Sequence, residues 1–147
     1  MSNYPIWWDT SITIYNKYED PQTQVITWYR HTINNCFWKT SGDKVNIGDV
    51  VLDTNSIICR IPSQSNFLEN YLWQAKSNDN MGNYFTLNVG DIIVKGTVTE
   101  EINEYSRGHY SSDFIAKYKK QGCLEIQEFA INVGRGRNNP HYFVRGI

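Results

Sequence analysis

Ser11-Ile12-Thr13-Ile14-Tyr15-Asn16 decides the fold class. Its residues alternate with period two, which places Ile12 and Ile14 on one face of a half-buried strand. A turn at Glu19-Asp20-Pro21-Gln22 follows, and Gln24 to His31 returns with Ile26 and Trp28 sharing a face. Together they predict a β-hairpin.

The same reading extends outward. Ile33 to Thr40 continues as a strand with Cys36 and Trp38 on one face, and Ser41-Gly42-Asp43 reads as a turn. Asn46 to Leu52 and Ser56 to Ile61 form a second pair across Asp53-Thr54-Asn55, and Pro62 ends it because it has no N–H for a central ladder. Asn66 to Lys76 is a short helix or a turn, and Ser77 to Asn83 is a loop. Tyr84 to Leu87 and Ile92 to Val98 read as strands on either side of a Gly90-Asp91 turn or bulge. Ser112-Asp113 caps a helix to Lys120, with Phe114, Ile115 and Tyr118 as its apolar stripe and Gly122 as its stop. Cys123 to Val133 is a long strand, with Leu124, Ile126 and Glu128 on one face and Glu125, Gln127 and Phe129 on the other. His141 to Ile147 closes the chain as a last strand.

The expected fold is mainly β: a single antiparallel barrel or sandwich over residues 1–147, with one short α-helix at about 112–120 and residues 1–10 as a candidate N-terminal arm. Composition agrees. Three Ala and five Leu stand against many branched and aromatic residues, which suit a pleated surface. A net charge of -1 excludes a basic nucleic-acid coat or an acidic tail as the main character, and a 14% aromatic share excludes a disordered chain. The N-terminal residues lack the pattern of a secretory signal, and no apolar run is long enough for a membrane helix. Cys36, Cys59 and Cys123 read as buried, reduced thiols of a protein made in a cytoplasm.

Catalytic signatures are weak. His31, His109 and His141 have no metal-ligand spacing, and the Glu19-Asp20 and Glu100-Glu101 pairs sit in polar turns. No nucleophile elbow or phosphate loop occurs. The expectation is no catalytic residue, no cofactor and no metal.

Two segments stand out instead. Gly134-Arg135-Gly136-Arg137-Asn138-Asn139-Pro140 reads either as a hairpin tip with no further role or as a loop whose Arg135, Arg137, Asn138 and Asn139 face a channel or a partner. Tyr4-Pro5-Ile6-Trp7-Trp8 reads either as a lid in which Trp7 and Trp8 cover the domain's own core, or as an arm in which they anchor a subunit interface.

Several strings resemble an uncharacterised group of phage and prophage structural proteins of Gram-positive gut bacteria. They are Trp7-Trp8-Asp9-Thr10 with Ile12 to Asp20, Asn35 to Lys39, Ile57 to Pro62, Tyr84 to Leu87 with Gly90 to Gly96, Ala116 to Lys120, Glu125 to Glu128 and His141 to Val144. The likeness covers nearly the whole chain. That group is similar in turn to small head-completion proteins of tailed phages. The resemblance brings no catalytic residues.

It implies a structural virion protein: a head-closure or head–tail connector subunit in the phage neck, forming a ring between portal and tail, a hexamer or dodecamer. The expected partners are further copies of the chain, the portal or its adaptor, tail proteins and, transiently, packaged DNA, with no membrane. Either Ser77 to Asn83 or Gly134 to Pro140 would narrow the channel. Two alternatives stay open. One is a tail-terminator or other tail-end protein. The other is a ligand-binding β-barrel or enzyme, whose cleft would be sought near Tyr105, His109, Asp113 and Cys123.

Overall fold

The computed structural model describes residues 4–47, 50–76, 78–133 and 139–147, with the main chain alone for 41–47, 50–55, 78 and 79. Six antiparallel strands form a closed barrel in the order β1-β2-β3-β6-β5-β4. They are β1 (Thr10–Glu19), β2 (Ile26–Ile47), β3 (Val50–Pro62), β4 (Ile92–Lys95), β5 (Cys123–Asn132) and β6 (His141–Gly146). Between them lie α1 (Asn70–Gln74), α2 (Asn78–Met81) and α3 (Ser111–Gly122). Closure, by β4 against β1, leaves no open sheet edge around the ring and excludes the sandwich.

Alternation builds the interior. Ile12, Ile14, Cys59, Ile61, Ile93, Leu124, Tyr142 and Val144 point inward and fill the barrel with Phe85 and Leu87. Two irregularities let the wall curve. The β1–β2 register shifts between Thr10 and Ile12, where Asn35 takes φ 61°, so Ile33 and Cys36 both face inward although three apart. A bulge between Ile126 and Glu128 does the same in β5. It corrects the two faces expected for that strand: beyond the bulge Phe129 and Ile131 pack on the core, and Glu128 faces out to Arg145 at 2.9 Å.

A second apolar cluster lies outside the wall. Tyr15, Trp28, Ile92 and Val94 meet Phe114 of α3, with the Tyr15 and Phe114 rings 4.8 Å apart. This is why residues 12–16 and 92–94 are buried on both faces. Thr13, on the outer face, is satisfied by donating to Gly96 O at 2.8 Å and accepting from Val98 N at 2.9 Å.

Three more expectations are corrected. Residues 84–87 are not a strand; only Phe85 bridges, to Phe67. Their backbone is instead tied to Asn16, whose amide accepts from Thr86 N at 3.1 Å and donates to Thr86 O at 2.6 Å. Residues 78–81 form a helical turn rather than a loop, because Trp73 lies fully buried beneath it and its indole N–H reaches Met81 O and Tyr84 O, both at 3.2 Å. Ser41-Gly42-Asp43 and Asp53-Thr54-Asn55 are not turns. They face each other inside one continuous β2–β3 ladder, whose register runs from Phe37 opposite Arg60 to Ile47 opposite Val50. The stretch Asn46 to Leu52 is therefore shared between two strands, with Asn46 and Ile47 ending β2 and Val50 to Leu52 opening β3.

The helix at 112–120 is present and two residues longer at its C-terminal end. Its N-terminus is held by acceptors on both sides: Asp113 Oδ2 accepts from Tyr110 N at 3.3 Å, and Glu104 accepts from Ser111 N.

Candidate functional site

The feature that departs most from a plain barrel is the β2–β3 ribbon. β2 pairs with β1 only up to Cys36, and β3 pairs with β6 only from Ile57. Beyond Thr40 and Ile57, seven register pairs, Ser41–Ser56 through Ile47–Val50, are made by the two strands with each other alone among the described residues. At ~3.3 Å per residue the ribbon runs on for about 20 Å. Both of its outer edges carry main-chain N–H and C=O groups without a ladder partner among the described residues, the condition under which a strand recruits another chain. Gly48-Asp49 between two branched runs is a two-residue hairpin cue.

The N-terminal segment clamps the barrel's outer wall and separates its two tryptophans. Trp8 is 8% exposed and Trp7 is 65% exposed. Trp8 stacks on Tyr4 at 5.2 Å and meets the edge of His141 at 5.7 Å. Tyr4 donates its hydroxyl hydrogen to Pro140 O and accepts from Ser63 N. His141 is oriented in turn: Nδ1 donates to Asn139 O at 2.8 Å, which leaves Nε2 to accept from Arg60 Nη1 at 3.3 Å. Residues 134–138, with Arg135, Arg137 and Asn138, lie outside the described residues; Asn139 sits beside this clamp.

Trp8→Ala is expected to lower stability by about 2 kcal/mol, by loss of buried aromatic area, and Trp7→Ala by less than about 0.5 kcal/mol. Thermal melts of the two variants check this. Equal losses would contradict the placement of the two rings.

The residues named for a catalytic cleft serve separate local tasks. Tyr105 Oη accepts from Ile26 N, Asp113 caps α3, and the His109 main chain closes the turn at 103–109 through Asn103 and Ser106. Cys123 belongs to the outer apolar cluster. Burial pushes its thiol up to about 11 and that of Cys36 up to about 12. All three cysteines are free and buried. Among the described residues no three His, Cys, Asp or Glu side chains gather as a metal site, and no helix is long and apolar enough to cross a membrane.

One buried polar group is unusual. Asp91, 2% exposed, accepts from Asn16 Nδ2 at 2.9 Å and from Lys17 N at 3.1 Å. Burial lifts its carboxyl to about 7 against the pull of these donors. It ties β1 to the start of β4, the seam where the barrel closes.

No curated protein and no solved structure matches this chain. Residues 7–147 match the profile of a family of unknown function, and the chain belongs to that family, DUF6751.

Proposed function

We propose that this chain is a structural subunit of a tailed-phage virion: a head-closure or connector protein that assembles into a ring in the neck, between portal and tail. The observation that carries the assembly is the β2–β3 ribbon. A two-stranded ribbon alone is marginal in water, and its two unpaired edges are stabilised when another surface covers them. A closed barrel that projects such a ribbon has two unlike faces, ribbon and wall, which is what a head-to-tail ring contact requires. The barrel interior is filled by side chains, so contact at the outside is where this fold offers function. Placement in the neck rests on the sequence resemblance.

The test is assembly. The purified chain, alone and with its candidate portal complex, is expected to give a ring by native mass spectrometry. Replacing residues 42–55 by an Asn-Gly turn should leave the barrel's melting temperature within a few degrees and abolish the ring. A wild-type chain that stays monomeric under both conditions sinks the reading. Cryo-EM of virions with the chain at the tail end rather than the neck would select the tail-terminator alternative.

A further inference from the structure

A cleft of about 440 Å³ opens where the ribbon leaves the barrel, lined by Trp38 and Ile57 with Lys95, Lys119, Lys120 and Gly122. Its three cations come from two elements. Lys95 ends β4, and Lys119 and Lys120 lie in the last turn of α3. Pairing of β4 with β5, which follows α3 directly, brings them to one rim. Gln121 secures that arrangement by donating its amide to Lys95 O at 2.7 Å.

Ile147, the last residue of the sequence, also lines the cleft; no Asp or Glu side chain does, and none of the three lysines is in an ion pair among the described residues. Lys117, one turn away on α3, is by contrast paired with Glu100. At the back of the cleft the chain is drawn in tightly. Gly122 has φ +126°, and a Cβ there would lie 3.0 Å from Lys95 Cβ and 3.2 Å from Trp38 Cζ2. The absent side chain lets the Lys95 stem and the Trp38 indole close onto the main chain there, which sets the indole beside the lysine.

We infer that this cleft is an anion site that takes a nucleoside phosphate, with the base against Trp38 and the phosphates held by Lys95, Lys119 and Lys120. Lysines alone would suit any anion. A tryptophan wall beside them adds a flat apolar partner that inorganic phosphate or a carboxylate side chain does not use, whereas a base does. The volume suits one nucleotide unit rather than a duplex. The source is either a free nucleotide or a single-stranded nucleic acid, which present the same chemistry. This inference does not depend on the ribbon's role.

The probes are ATP, a dT 12-mer and inorganic triphosphate, titrated into the full chain at low salt by calorimetry and tryptophan fluorescence. Binding of ATP or the 12-mer at least tenfold tighter than triphosphate, with tryptophan quenching, is the expected result. The tighter of the two identifies the source. Lys119→Ala/Lys120→Ala, at two exposed positions, should weaken binding at least tenfold with an unchanged melt. Trp38→Phe, which keeps an aromatic ring in the wall, should remove most of the quenching. For the 12-mer, log K should fall against log salt with a slope of about -2, since each phosphate neutralised on a single strand contributes about -0.7. Triphosphate binding as tightly as ATP and the 12-mer, quenching that persists in Trp38→Phe, or no binding overturns the proposal. So does a lysine variant that changes self-association while nucleotide affinity is unchanged, which would assign the cleft to an acidic protein surface.

Discussion

Asn16→Ala is expected to cost about 3 kcal/mol, a fall of roughly 6–12 °C in Tm for a domain of this size. Asn16 is fully buried, and its amide acts as a substitute strand partner for Thr86 while also donating to Asp91. Removing it strands the Thr86 N–H and C=O away from water, and each such group costs about 1–3 kcal/mol. It also removes one of the donors that stabilise the Asp91 carboxylate.

The pH dependence follows from the same contacts. The folded Asp91 carboxyl sits at about 7, against an ordinary 3.8, because burial disfavours its charge. Between those values the folded chain holds a proton that the unfolded chain has released. This contribution to stability is therefore complete below pH 4, declines as pH rises and is gone above about 7. Inside the window the decline approaches 1.4 kcal/mol per pH unit. Melts from pH 5 to 8 should show lower stability at pH 8. Asp91→Asn should flatten that slope, and Asn16→Ala should extend it to higher pH. A wild-type curve that rises from pH 5 to 8 as steeply as that of Asp91→Asn would contradict the assignment.

Gly146→Ala is expected to open the β5–β6 seam at a cost of about 3 kcal/mol or more, the sum of overpacking and lost ladder bonds. A Cβ at Gly146 would lie 2.1 Å from Glu125 O and 3.0 Å from Leu124 Cδ1. The first of these is main chain beside the β5 bulge, so no rotamer relieves it. The end of β6 must move away from Ile126, losing that pairing and the 3.1 Å bond from Glu125 N to Ile147 O. Gly82→Ala is the control. Its nearest neighbour would be Tyr29 Cδ1 at 3.8 Å, an ordinary contact, and its effect should stay within about 0.5 kcal/mol. Hydrogen exchange at the Glu125 amide, which crosses this seam to Ile147 O, reads the difference. Protection in a Gly146 variant equal to wild type would sink the prediction.

Local chemistry was legible where it acts over a few residues. The alternation at 11–16 marks β1, the Ser-Asp start and lysine-rich end mark α3, and lone cysteines mark buried thiols. Faces were legible only up to the first bulge. Period two assigns Phe129 outward, and one extra residue at Gln127 turns it in. The candidate sites were less legible still. Trp7 and Trp8 are adjacent and chemically alike, and only the surface each meets separates them. Lys95 stands 24 positions before Lys119, so no spacing rule joins them.

What the sequence by itself determined is therefore the class: an antiparallel β domain with one amphipathic helix, because hydrophobic period and capping are properties of neighbours along the chain. The tertiary structure alone decided the closed barrel, the length of the ribbon, the pinning of 84–87 to Asn16 and the convergence of Trp38 with three lysines. Each depends on strand register and on which surfaces become buried, and those free energies belong to contacts between residues far apart in the chain.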